Sequence, residues 1–275
     1  MSKKYSYITF ITSEKYLLGL QTMAKSLLLT KTKYPLSVVV PSSSSDSFVE
    51  QVKQHSYGAG IIKIDRIDAK NEISNSNYKH WGDTFFKLNV ARLTQFDKAV
   101  MLDLDLLILK NIDDLFERPH MSACASALIK FPDWKYLNSG LMVIEPNENF
   151  FNKLVANIDN ARKASKTGDI GDQDVFNYLY PNWFDTPELR IPEEYNEHYR
   201  AVYRLAKSLK HGWRDIKVIH YWGLVKPWHL SKKELFKQYF VNARYLRLDV
   251  NRCLMMYRRM MKRKIKLSFT TITDD

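Results

Sequence analysis

Ala99-Val-Met-Leu-Asp-Leu-Asp-Leu-Leu-Ile-Leu109 sets two carboxylates, Asp103 and Asp105, in a stretch that is otherwise apolar. Such a run reads as buried strand, where two uncompensated charges cost several kcal/mol, so the pair calls for a cation or strong donors. With one residue between them, both side chains can point to one face of an extended segment and reach a single metal ion. A strand end followed by a solvated turn gives the same pattern, so the pair alone decides nothing.

Upstream, short β-rich runs alternate with helical patterns. Tyr5 to Thr12 reads as a strand, followed by a helix with Leu17, Leu20, Ala24, Leu27 and Leu28 on its apolar side. Pro35 to Val40 is a second strand, and Asp46 can cap a helix that buries Val49 and Val52. Ile61 to Ile64, a helix over Thr84 to Phe96 with Phe85, Leu88 and Leu93 inward, and a fourth strand over Ala99 to Leu102 follow. This alternation predicts an α/β fold built on a mainly parallel sheet, whose ligands gather at the strands' carboxyl ends. Asp103 falls at such an end.

Downstream, Asn138 to Ile144 reads as a strand, Phe150 to Ala161 and Gln173 to Tyr180 as helices, and Lys217 to His220 as a strand ending in histidine. His220-Tyr-Trp-Gly-Leu-Val-Lys-Pro-Trp228 suits a diphosphate site, because Gly223 lets backbone approach phosphate and Lys226 adds a point charge. A core histidine followed by a loop of packing tryptophans fits those residues as well. Asn138-Ser-Gly and Gly171-Asp-Gln-Asp set small residues beside amides and carboxylates, as a sugar site requires. They equally suit a turn and a helix start capped by Asp172.

Composition bounds the alternatives. The 275 residues, 45% hydrophobic, fill one large domain, and nine Gly and nine Pro are scattered, so no flexible linker divides them. No apolar run reaches the roughly 18 residues of a membrane span. The start, Met1-Ser-Lys-Lys-Tyr-Ser-Tyr-Ile, lacks the apolar region and cleavage site of a secretory signal. Cys124 and Cys253 lie far apart with no ligand-like neighbours, which points to a reduced, cytoplasmic setting. The net charge of +12 attracts anions, and much of it falls between Arg244 and Lys266. No helix-turn-helix, zinc-finger or RNP-like pattern accompanies it, so no nucleic-acid partner is expected.

The order of these islands resembles glycosyltransferase family eight, the retaining transferases that include glycogenin and its relatives. The resemblance runs from about Tyr7 to Trp228. It rests on Tyr7-Ile-Thr-Phe-Ile-Thr, Lys87-Leu-Asn-Val-Ala-Arg-Leu-Thr-Gln-Phe, the D-x-D segment, Lys110-Asn-Ile-Asp-Asp-Leu-Phe-Glu117, Leu137-Asn-Ser-Gly-Leu-Met-Val-Ile-Glu-Pro146, Gly171-Asp-Gln and His220 to Trp228. It implies a GT-A fold, a manganese (or magnesium) ion and a UDP-sugar donor such as UDP-glucose. By resemblance Asp103, Asp105 and His220 are the metal ligands, Phe10, Thr12, Tyr16 and Leu104 line the nucleotide, and Gly223 and Lys226 hold the diphosphate. Lys87, Asn138, Ser139, Asp169, Asp172 and Gln173 face the sugar or its leaving group, with Asp172, Gln173 and Lys226 the catalytic candidates. The chain departs from glycogenin at Leu104, Ser13 and Tyr78-Lys79-His80, where that protein has alanine, asparagine and an arginine ahead of its lysine.

The resemblance leaves the acceptor open. Glycogenin glucosylates one of its own tyrosines. Counting without gaps from Tyr195-Asn196 and from His220 places Tyr203 there, with Tyr199 the competitor and a helical tyrosine packed on the domain the plain alternative. Self-transfer between subunits implies a homodimer. The other readings are a galactosyl- or glucosyltransferase acting on a separate small-molecule, lipid-linked or protein-linked glycan, and a non-catalytic scaffold. Residues 1–230 form the transferase domain in this reading, and 231–275 a basic helical extension. In it Leu246, Val250, Leu254, Tyr257 and Met261 recur at helical spacing among arginines and lysines. That pattern suits a helix packed on the domain, or one lying on an anionic membrane surface or polyanionic partner.

Overall fold

The structure, a computed structural model, describes residues 3–67, 79–125, 128 and 132–271. β1 (Tyr5–Phe10), α1 (Leu17–Leu29), β2 (Leu36–Pro41), α2 (Asp46–His55) and β3 (Gly60–Ile64) follow the alternation expected from the sequence. α2 is capped by Ser45, whose hydroxyl accepts from the Phe48 N–H, and Asp46 is its first helical residue rather than its cap. The helix expected over Thr84 to Phe96 is a 3₁₀ run, Lys79–Arg92, which buries Phe85, Leu88 and Asn89. β4 (Lys98–Leu102) comes next, pairing in parallel with β1.

The chain then leaves this sheet. β5 (Leu106–Ile108) begins one residue after Asp105 and pairs elsewhere. β6 (Ala123–Cys124) and β7 (Asn138–Ile144) return to it, giving six strands in the order β3-β2-β1-β4-β7-β6. The four strands from β3 to β4 are parallel, and β7 runs antiparallel to both β4 and β6. The segment read as one helix from Phe150 is two, α3 (Glu148–Ala156) and α4 (Ile158–Ala164), broken at Asn157. α5 (Asp172–Leu179), β8 (Glu197–His198), α6 (Val202–Ser208) and β9 (Val218–His220) complete the body. β5, β9 and β8 form a second, three-stranded sheet.

Two helices follow the body, α7 (Lys232–Arg244) and α8 (Leu248–Lys262), and the chain beyond them returns to the turn after α2 at Phe269, whose N–H donates to the Tyr57 carbonyl at 2.7 Å. α8 buries Val250, Cys253, Leu254 and Tyr257 against Leu107, Ile219, Tyr221 and Trp228, so most of the apolar stripe faces the domain. Leu246, assigned to the same stripe, is instead 88% exposed, because it sits at φ 54° in the turn before α8 begins. The last turn of α8 is held by Lys25, a buried lysine of α1 whose Nζ donates to the carbonyls of Met260, Met261 and Arg263 at 3.0, 3.1 and 2.6 Å. A cation there complements the negative end of the helix dipole. Both cysteines are buried free thiols, and burial pushes Cys253 up to about 12.

Candidate active site

β4 ends at Leu102, and the next residue, Asp103, donates its N–H to the Gly140 carbonyl of β7 at 2.8 Å. Asp105 is held to the other sheet, its carbonyl accepting the Tyr221 N–H at 2.9 Å, and His220 closes β9 beside it. Ligand atoms of Asp103, Asp105 and His220 thus lie within 4.8 Å of one another. His220 Nε2 is 3.0 Å from Asp105 Oδ1 and 3.9 Å from Asp103 Oδ2. Two carboxylates and an imidazole form a hard-to-borderline donor set, which fits Mn²⁺ or Mg²⁺. The back of the imidazole rests on Gly140. A Cβ there would lie 2.3 Å from His220 Cε1 and 2.9 Å from both His220 Nδ1 and Asn138 Oδ1, so this position has room only for glycine.

Two lysines flank the triad. Lys226 Nζ is 2.6 Å from Asp105 Oδ2, and Lys87 Nζ lies between Asp103 Oδ1 (2.9 Å) and Asp172 Oδ2 (3.0 Å). Burial raises the Asp105 carboxyl, but the Lys226 ammonium and His220 outweigh it and hold Asp105 well below the ordinary carboxylate range. Burial would lower Lys87, yet Asp103 and Asp172 keep it above its ordinary value and therefore cationic. Asp172 goes the other way. Burial lifts it above the usual range, Lys87 pulls it back, and Asp103 adds to the lift. Asp172 is not the cap of α5 but its first helical residue. The Gly171 N–H is instead satisfied by Asp174 Oδ2 at 2.8 Å, and the Asp172 N–H reaches Thr84 Oγ1 at 3.3 Å.

Beside Asp172 runs a chain of amides. Asn196, fully buried, donates through Nδ2 to Asn138 Oδ1 at 2.8 Å, and that oxygen also accepts the Gly140 N–H. Asn138 Nδ2 then donates to Gln173 Oε1 at 3.0 Å, where the Ser139 N–H also arrives at 3.3 Å. With its oxygen engaged twice and its NH₂ making no hydrogen bond among the described residues, Gln173 offers a donor suited to a sugar hydroxyl or phosphate.

The triad stands at the seam of two cavities. One, about 600 Å³, is lined by Asn138, Ser139, Gly140, Gly171, Asp172, Gln173, Trp134, Trp222, Gly223 and Leu224. The other, about 200 Å³, is lined by Phe10, Thr12, Tyr16, Lys87, Leu104 and Trp228. Thr84, Asp103, Asp105 and Lys226 line both. Gly223 sits at φ 130°, a conformation that glycine tolerates and other residues rarely adopt.

Most residues singled out in the sequence therefore meet around one site. Asp169 and Tyr203 do not line these cavities. Asp169 lies ahead of α5 with its N–H on Thr167, and Tyr203 is exposed on α6 with Lys207 Nζ 4.4 Å from its ring centre. Tyr78 lies outside the described residues. Sequence reasoning missed Thr84, Trp134, Gly140, Asn196 and Trp222. Gly140 and Trp222 sit inside the quoted islands, whereas Asn196 is brought in by β8 from a segment with no chemical pattern of its own.

A doubly pocketed α/β body with a carboxylate–imidazole cluster at its strand ends defines a GT-A-type architecture. The chain matches Glycosyl transferase family 8 over residues 7–232 and belongs to that family. It is 33% identical over 227 residues to glycogenin-1 of Caenorhabditis elegans, covering 82% of this chain and 51% of that protein. It is 30% identical over 252 residues to inositol phosphorylceramide glucuronosyltransferase 1 of Arabidopsis thaliana, covering 82% of this chain and 43% of that protein. The chain thus spans about half the length of these curated relatives or less. The galactosyltransferase LgtC, solved with donor and acceptor sugar analogues, shares the fold with a TM-score of 0.65 at 15% identity, over 95% of this chain and 98% of that one.

Proposed function

We propose that this protein is a retaining, manganese-dependent glycosyltransferase that moves a hexose, glucose in the first instance, from a UDP-sugar to an acceptor hydroxyl. The convergence of Asp103, Asp105 and His220 to within 4.8 Å at the seam of two cavities carries the reading. The smaller cavity takes the nucleoside, with Phe10 and Tyr16 as apolar walls. The larger takes the sugar, so the diphosphate crosses the triad. A divalent ion held there supplies Lewis-acid stabilisation of the departing diphosphate. Lys226 and the backbone at Gly223 add fixed positive potential beside the leaving group. Lys87 keeps Asp172 placed beneath the sugar and opposes the upward pull of burial on its carboxyl, whose negative charge favours an oxocarbenium-like transition state. Gln173, with its oxygen engaged by Asn138 and Ser139, holds a hydroxyl or phosphate rather than acting as a nucleophile. These roles favour attack from the face the diphosphate leaves, so the product keeps its configuration.

Tyr203 is the self-acceptor in this reading. It lies on the exterior of α6, so transfer to it comes from a second subunit, which makes the working unit a dimer. A second reading, a separate lipid-linked or protein-linked acceptor, is favoured by the likeness to a glucuronosyltransferase named for inositol phosphorylceramide. Intact mass spectrometry after incubation with UDP-glucose and manganese separates the two. Hexose increments that vanish in Tyr203→Phe support self-transfer, and their absence with turnover on an added acceptor supports the second. Calorimetry tests the site itself. UDP should bind more tightly with manganese than with a chelator, a difference lost in Asp103→Asn and His220→Ala. Equal affinities in the wild type would refute the metal assignment.

A further inference from the structure

Between residues 231 and 266, twelve Lys and Arg stand against two acids, Glu234 and Asp249, so ten of the twelve net positive charges lie in this segment. Because α8 turns most of its apolar stripe into the domain, the most exposed apolar residues of this segment fall on α7, the turn after it and the first residue of α8. Phe236, Phe240, Tyr245, Leu246 and Leu248 are between 63% and 88% exposed. Phe236 and Phe240 are one turn apart, and Lys233, Lys237 and Arg244 stand beside them at three- and four-residue spacing.

The groove between α7 and α8, about 330 Å³, has the same character. Lys232, Arg258, Arg259 and Lys262 line it over a floor that includes Phe236 and Tyr239, and among the described residues no carboxylate lines it. Glu234, the acid of α7, is committed to the helix cap, accepting the Ser231 N–H at 2.8 Å. Arg258 donates to the carbonyls of Pro227 and Leu230. A surface that exposes aromatic rings while gathering uncompensated cations repels a second copy of itself and matches an anionic interface with an apolar interior.

We infer that α7 and the α7–α8 groove dock the protein on an anionic phospholipid bilayer. Phe236, Phe240 and Leu246 enter the boundary between headgroups and acyl chains, and the groove cations take lipid phosphates. Among the described residues no helix is long and apolar enough to cross a membrane, so the attachment is peripheral. The surface also borders the donor cavity. Trp222, Gly223 and Leu224 line both that cavity and a second pocket walled by Lys237, Gln238 and Val241 of α7. Docking therefore sets the cavity mouth near the lipid. This inference stands on the tail's geometry and does not depend on the sugar-transfer reading.

Sedimentation of the full chain with phosphatidylcholine vesicles, and with vesicles also containing phosphatidylglycerol, tests it. Binding should require the anionic lipid, weaken as salt rises, and persist when inorganic phosphate replaces chloride at matched ionic strength. Each basic residue removed should lower the partition coefficient about fivefold, so Arg259→Glu with Lys262→Glu should lower it by at least about 25-fold. Phe236→Ser with Phe240→Ser should also reduce it at least about tenfold while UDP binding and the melting temperature stay unchanged, since both rings are already in solvent. Four results would overturn the inference: equal binding to neutral vesicles, no binding to either, displacement by phosphate at matched ionic strength, or full binding by the phenylalanine pair variant. A wild-type dimer in sedimentation equilibrium that the pair variant loses would overturn it too, by showing that a second copy covers the face.

Discussion

Gly140→Ala should disable the metal site by the smallest change a side chain can make. The added methyl would lie 2.3 Å from His220 Cε1, and ordinary contact begins at 3.4 Å, so about 1 Å of movement is needed. Neither neighbour can give cheaply. His220 is 2% exposed at the end of β9, and Asn138 is tied to Asn196, Gln173 and the Gly140 N–H. A metal ligand tolerates only about 0.2 Å of displacement, so the imidazole would leave the triad. Metal affinity should fall about 10- to 100-fold, as when a ligand's support is removed, and turnover by about 10²-fold. Overpacking should cost about 1–3 kcal/mol of stability, leaving the variant folded. Calorimetric titration of UDP with and without manganese reads the first effect, and a thermal melt the last. Gly60→Ala is the control, because its methyl would meet Ser37 Oγ at an unstrained 3.6 Å. Wild-type metal-dependent UDP binding in Gly140→Ala would show that His220 does not rest on Gly140 in the way described.

Asp172→Asn should lower turnover by about 10²-fold or more with little change in UDP affinity, because the lost charge acts in the transition state. Normal turnover would reduce Asp172 to a partner of Lys87. Lys25→Met should destabilise the protein by about 2–3 kcal/mol, since three carbonyls at the end of α8 lose a cationic donor. Limited proteolysis should then release the tail first, and an unchanged digestion pattern would count against the clamp. Burial holds the Tyr7, Tyr221 and Tyr257 phenols well above the ordinary tyrosine value, with Asp113 reinforcing Tyr7. Above pH of about 10 they stay protonated in the folded chain and ionise in the unfolded one, so stability falls as pH rises. Each contributes about 1.4 kcal/mol per pH unit, and denaturant titrations should show a shallower alkaline slope in Tyr7→Phe.

The parallel half of the sheet was legible because hydrophobic runs and turn residues are local signals, and β1 to β4 fall where those signals put them. Asp103 and His220 could be placed at strand ends for the same reason. That they meet could not be read from spacing, because it depends on β5 crossing to pair with β9, a contact 115 residues long at Asp105 and His220. The ordering of recognised islands supplied that proximity instead. Asn196 stayed hidden because its role is defined wholly by a partner 58 residues away. In the tail, periodicity found α8, yet it continued the helix through Leu246, where the backbone turns to φ 54° and separates α7 from α8. That hinge decides which apolar face is buried and which is left outside.

Leu104 is all that separates the residue tethered to the six-stranded sheet from the one tethered to the three-stranded sheet. Asp103 is fixed by Gly140 of β7, and Asp105 by Tyr221 just beyond β9. Over evolutionary time this segment should therefore be free in one respect and frozen in another. The residue between the carboxylates can drift, as the contrast between Leu104 here and alanine in glycogenin illustrates, so long as its backbone spans the seam. Its length cannot, since one residue gained or lost would turn a carboxylate away and pull the sheets out of register. Descendants of this chain should record substitutions at that point and no insertions or deletions.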